Sequence, residues 1–279
     1  MSTCPTGGFE RSTVGRVPVD DGQEVERRWG IAEDGQALRL VVPARFRDRI
    51  EYVWPPLGLE RRDTPVAEVS KVVVVEAGPA GSLAVLVDGV PANGGWHRVE
   101  SELALFAAER LVATVAVHAA LIQVGSQGLL LPGPSGSGKS RLSLAASQSG
   151  ALVLSDEFAL IDPVSGLAHG WPRPVRIRRA DGGVDRLPLV RDHAPVEVVL
   201  TAFISYQPGA IDVRRIEASE AVLEVLANTV CAQHRPDHAL DGALALTRSS
   251  VFVRGTRGEA AMALTELSRW MGSPPLAAN

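Results

Sequence analysis

The apolar positions fall into two regimes. Between about Arg28 and His97 they come in short runs rich in β-branched residues, at Ala37–Pro43, Lys71–Glu76 and Leu83–Val87. Runs of that length, broken by Pro55-Pro56, Gly58, Asp88-Gly89 and Gly94-Gly95, predict strands joined by turns. From Ser101 the period changes. Leu103, Leu105, Phe106, Leu111 and Val112 recur at helical spacing, with Glu100, Glu102 and Glu109 toward the N-terminal part, where carboxylates suit the helix dipole. The expected organisation is a β-rich N-terminal domain over residues 1–97, linked by this helix to a main domain over 98–279.

Past the helix the pattern predicts alternating elements. His118–Val124 reads as a strand, Gly125-Ser126-Gln127-Gly128 as a turn, and Leu129-Leu130-Leu131 as a second, fully apolar strand that feeds Gly133. Lys139–Gln148 suits a helix closed by Gly150, and Ala151–Leu154 a buried strand. Val196–Ser205 and Ile211–Ile216 read as strands. Ser219–Gln233 and Glu259–Met271 read as helices, flanking a strand at Val251–Val253. Strands and helices alternating around a central apolar strand predict an α/β core.

Composition narrows the classes. With 279 residues, 46% of them hydrophobic, the chain can bury a sizeable core. A formal charge of −4 argues against a nucleic-acid partner. Cys4 and Cys231 are the only cysteines, too few for a disulfide framework or a four-cysteine zinc site. Cys231, His234 and His238 have loose metal-ligand spacing, but Pro236 interrupts the run. The first twenty residues hold no apolar signal core, and Leu111–Val124 is too short to span a bilayer. The expectation is a soluble cytoplasmic protein without a membrane partner. Self-association stays open.

One segment carries specific chemistry. Gly133-Pro134-Ser135-Gly136-Ser137-Gly138-Lys139-Ser140 satisfies G-x-x-x-x-G-K-[ST] between an apolar strand and a helix. Its glycines let successive backbone N–H groups turn inward on phosphate oxygens, and the helix end adds positive potential. Lys139 is the residue expected to reach the β- and γ-phosphates, and Ser140 the expected magnesium ligand. Arg141 completes the nucleotide-binding set. The implied ligands are ATP and Mg2+.

Asp156-Glu157 closes the next strand, with Asp156 only 17 residues after Lys139. That spacing holds one helix and one strand, so the acid pair belongs to the element after the loop helix. Short spacing suits kinases that set a carboxylate beside the γ-phosphate to receive a hydroxyl proton. Asp162-Pro163-Val164-Ser165-Gly166 is a turn signature without functional demand. Farther on, Arg173, Arg176, Arg178 and Arg179 crowd into seven residues. They fit either a phosphate clamp or a charged edge strand.

His118-Ala-Ala-Leu-Ile-Gln-Val, the hairpin turn, the loop to Ser140 and Leu152-Val-Leu-Ser-Asp156-Glu157 together resemble the catalytic core of HPr kinase/phosphorylase. The resemblance is clear over roughly residues 118–162, and His118 lies 15 residues before Gly133, as in that family. It is a divergent likeness: Ala119 stands where the family has glycine, and Glu157 where it has a second aspartate. The resemblance implies a P-loop kinase core related to phosphoenolpyruvate carboxykinase; the smaller β-rich N-terminal domain is read from the chain's own pattern and does not resemble that family's regulatory domain. It implies γ-phosphoryl transfer to a serine-type hydroxyl, with Asp156 as general base and as a magnesium-side acid together with Glu157. By the same resemblance His118 would orient the acid pair, and Lys139 and Ser140 would handle the phosphates and magnesium. The arginine cluster is read from the residues themselves: Lys139 and one or more of Arg173, Arg176 and Arg178 are expected to stabilise charge on the γ-phosphoryl oxygens. The acceptor is a peptide, a protein or a small hydroxylated metabolite, and the N-terminal domain is a candidate for its recognition. A sugar or cyclitol kinase and a non-catalytic ATP sensor are the alternatives.

Overall fold

The computed structural model describes residues 24–77, 83–171, 173, 175–178, 184–187, 193–209 and 211–272. Among these the chain is mixed α/β, with two multi-stranded sheets, a two-stranded ribbon and six α-helices. It divides into two compact units between Ala104 and Leu105.

The N-terminal unit holds a six-stranded sheet of β1 (Val25–Ala32), β2 (Ala37–Pro43), β3 (Leu59–Arg62), β4 (Lys71–Ala77), β5 (Leu83–Val87) and β6 (Val90–Ala92), in the order β3-β1-β2-β4-β5-β6. Pairing is antiparallel except between β2 and β4. Helix α1 (Arg47–Val53) follows β2, and helix α2 (Gly95–Glu109) begins earlier than its periodicity suggested and stops before Leu111 and Val112, so Glu109 lies at its C-terminal end and not in its N-terminal part. Val41, Val72 and Val74 form a buried cluster of the sheet.

The C-terminal unit is organised by a nine-stranded sheet. Its strands are β7 (Val115–Val117), β8 (Ala119–Val124), β9 (Gln127–Pro132), β10 (Leu152–Ser155), β11 (Ala159–Ile161), β12 (Leu167–Gly170), β15 (Val196–Tyr206), β16 (Ile211–Arg215) and β17 (Val251–Arg257). β13 (Val175–Arg178) and β14 (Val184–Leu187) form the separate ribbon. The helices are α3 (Lys139–Gln148), α4 (Ala218–Ala227), α5 (Pro236–Leu246) and α6 (Ala260–Met271).

Period-two alternation explains why the central strands read as unbroken apolar runs. Ala120, Ile122, Leu129, Leu131, Leu200, Ala202, Val251 and Val253 pack on one face with Leu142 and Ala146 of α3 and Leu267 of α6. Their neighbours Ala119, Leu121, Leu130, Phe203 and Phe252 pack on the other face with Val222 and Val225 of α4 and Ala243 and Leu246 of α5. Both faces are covered, so neither carries a polar register. β9, β15 and β17 are mutually parallel. Their carboxyl ends, Pro132, Tyr206 and Arg257, therefore share one edge of the sheet, where ligands of parallel α/β sheets gather.

Candidate functional site

The loop 133–140 leaves β9 at that edge and runs into α3, whose start and end are those read from the sequence. Gly136 and Gly138 take φ of +90° and +96°, the left-handed conformations this curl requires. The loop is tied down by His118. The His118 carbonyl accepts from the Gly133 N–H at 3.2 Å, and the His118 N–H donates to the Asn228 carbonyl at 2.7 Å. His118 thus sits in a break between β7 and β8 rather than opening a single strand, as its sequence context had suggested.

Lys139 is 8% exposed, and its ammonium donates to the carbonyls of Gly133 (2.5 Å) and Pro134 (2.9 Å). Burial lowers its proton affinity, opposed by the negative charges of Asp156 and Glu157. Ser140 donates to Asp156 Oδ2 at 2.6 Å, and the fully buried Ser143 to Asp156 Oδ1 at 2.9 Å. Both hydroxyls come from successive turns of one face of α3. Burial raises the Asp156 pKa above the ordinary carboxylate range, against the pull of the two serines and Lys139.

The acid pair sits in a turn closed by the Ser155 hydroxyl, which donates to the Phe158 carbonyl. A register shift between Val153 and Ser155 precedes it, a device that re-aims side chains at a strand end. Glu157 does not share Asp156's partners; its carboxylate pairs with Arg173. The His118 ring lies 6.1 Å from that of Phe158, which meets Trp171 edge-on at 5.4 Å. Burial, and then the charge of Lys139, lower the His118 pKa to about 4, so its imidazole is neutral at pH 7.

The structure therefore brings His118, Lys139, Ser140, Asp156, Glu157 and Arg173 to one neighbourhood. Arg176 and Arg178 lie on β13, where only the backbone is described, and Arg179 falls outside the described residues. Asp162 accepts from Val164 N–H and from Ser165, the local turn expected of it. Cys231 is buried, and a ring nitrogen of His238 lies 3.2 Å from the Thr114 carbonyl oxygen.

Arg257 is the residue that sequence reasoning missed. It is 3% exposed, donates to the carbonyl oxygens of Gly138 (2.9 Å) and Gly258 (2.8 Å), and sets its guanidinium carbon 5.2 Å from the centre of the Tyr206 ring. A Cβ on Gly138 would collide with its guanidinium, so glycine there serves close approach as well as backbone freedom. Its only sequence signal is a cation at the end of an apolar strand just before a helix, too common to single it out.

Two features fit an anionic, metal-bound ligand. Ser137 Oγ, inside the loop, and Arg257 Nε are buried without a hydrogen-bond partner among the described residues. Ser140 and Asp156 supply hard oxygens of the kind magnesium takes together with phosphate oxygens. No group of three His, Cys, Asp or Glu able to hold an ion occurs among the described residues, so an ion here would need the ligand's own oxygens. Compared with protein-family models the chain matches none, and compared with curated proteins it again matches none.

Proposed function

We propose that the chain is a magnesium-dependent P-loop kinase that moves the γ-phosphoryl group of ATP to a hydroxyl of a peptide, protein or small metabolite. The observation that carries this reading is the hydrogen bond from Ser140 to Asp156. It joins the loop helix to the acid of the next strand. In that bond Ser140 spends its proton on Asp156 and keeps its lone pairs for a cation. Ser140 and Asp156 would hold magnesium beside the nucleotide, where it would supply neutralisation of phosphate charge.

The chain's own groups account for the rest. Lys139 exchanges its loop carbonyls for phosphate oxygens, which are stronger acceptors for an ammonium. Asp156, with its proton affinity raised by burial, takes the proton of the acceptor hydroxyl as that oxygen bonds to phosphorus and the bond to the β-phosphate oxygen breaks. Glu157 holds Arg173 near the acid, where its guanidinium meets charge developing on the γ-oxygens. His118, neutral, positions the loop through its backbone and adds no competing charge.

The test is transfer from γ-labelled ATP to a panel of peptides, sugars and cyclitols. Lys139→Ala should lose ATP binding in calorimetry, whereas Asp156→Asn should bind ATP and lose transfer. A fully active Asp156→Asn protein refutes the base assignment. Tight ATP binding with no label passed to any acceptor replaces the kinase with a nucleotide sensor.

A further inference from the structure

A cavity of about 620 Å³ opens beside the loop, within the range of small-ligand sites. Gly138, Arg141, Ala145, Tyr206, Arg257 and Glu259 are among its lining residues. It is not the acceptor's side of the site, and helix geometry shows why. Residues advance about 100° each around α3. Ser140 and Ser143, which hold Asp156, share one face. Arg141, Ala145 and Gln148, which line the cavity, share another, roughly a third of a turn away. A phosphate chain seated on the loop with its γ-end toward Asp156 must therefore run past Gly138, and its other end emerges in this cavity.

The cavity walls have the chemistry of a base site. Tyr206 is 48% exposed and offers an aromatic face, backed by the Arg257 guanidinium. Arg257 itself is buried and carries an unpartnered Nε. Glu259, at the start of α6, adds a carboxylate to the cavity wall, an acceptor of the kind an exocyclic amino group takes, with the Tyr206 hydroxyl 3.5 Å away. Ala145 and Ala260 leave flat, apolar room between.

We infer that this cavity binds the purine base of the nucleoside triphosphate, stacked on Tyr206 and read by Glu259. The inference rests on the phosphate loop being a nucleotide site, and the experiment separates the two. Magnesium complexes of ATP, GTP and inorganic tripolyphosphate are titrated calorimetrically into the natural protein and into Ala145→Trp and Ala261→Trp, which fill the cavity from α3 and from the exposed side of α6. ATP or GTP should bind at least about tenfold more tightly than tripolyphosphate, the scale of one stacked base. Either tryptophan should erase that advantage and leave tripolyphosphate affinity within about twofold. Equal affinity for tripolyphosphate and both nucleotides in the natural protein overturns the base site while the loop reading stands. So does an advantage that survives both tryptophans in folded protein. Failure of all three ligands to bind overturns the loop reading and the base site together.

Discussion

His118 makes acid stability a direct readout of how the loop is packed. Its pKa falls from the ordinary 6.5 to about 4 on folding, first through burial and then through the charge of Lys139. A depressed pKa means that the unfolded chain takes up the proton first, so stability is intact above pH 6.5 and is lost as pH falls toward 4. Integrating proton uptake between those two values gives about 2 kcal/mol lost between pH 7 and pH 5, rising to roughly 3 kcal/mol near pH 4. That is a large share of the roughly 5–15 kcal/mol that holds a domain together. Carboxylates elsewhere also titrate in this range, so the measurement is a difference. Urea unfolding of the natural protein and of His118→Gln is followed at intervals from pH 7 to 5. The natural protein should lose about 2 kcal/mol more than the variant. Lys139→Met removes the second cause and should shrink the difference. Parallel pH profiles for the natural protein and His118→Gln would refute the packing account, as would an imidazole titrating near 6.5 by NMR.

Ser143→Ala removes one of the two donors to a half-buried carboxylate, and urea unfolding at pH 7 should show a loss of about 1–2 kcal/mol; a double cycle with Asp156→Asn should assign most of it to that bond, and additive losses would contradict it. Gly138→Ala places a Cβ against the Arg257 guanidinium at a φ of +96°. It should cost about 1–3 kcal/mol in strain and at least tenfold in ATP affinity, read by thermal unfolding and calorimetry; unchanged ATP affinity would show that Arg257 and the loop are not coupled.

Which parts of this site were legible in the sequence follows from how far apart their residues lie. The loop, α3 and the acid turn are built from neighbours along the chain, and their glycines, helix spacing and strand-end carboxylates are local signals. The same holds for β2, β4 and β5 and for the turn at Asp162. β1 (Val25–Ala32) escaped because Glu26, Arg27 and Arg28 break its apolar pattern; Arg28 is instead matched across space by Glu51. The helix read as Ser219–Gln233 ends at Ala227, and a new one, α5, starts at Pro236, since proline is well placed in a first turn and only disruptive farther in. The strand at Val251 also runs on to Arg257 through a polar stretch, because β15 and β16 pair with it along that length.

That last extension decides the site. The parallel register sets Arg257 beside Tyr206, and hydrogen bonding then brings Arg257 to Gly138, 119 residues away in the chain. Nothing local marks either residue, because neither pattern nor propensity encodes which strand ends meet at a sheet edge. Yet the meeting has a physical consequence. A guanidinium stripped of water beneath the loop has its proton affinity lowered by burial, so its charge is costly until an anion arrives. On the proposed function, a phosphate chain in the loop would repay that desolvation and so couple ligand binding to the packing of β15, β17 and α6. Ligand should therefore stabilise the protein more than its contacts with the loop backbone alone would suggest, and Arg257→Met should reduce that stabilisation while leaving the unliganded protein folded. A thermal shift on adding magnesium–ATP that is the same in both proteins would break this link.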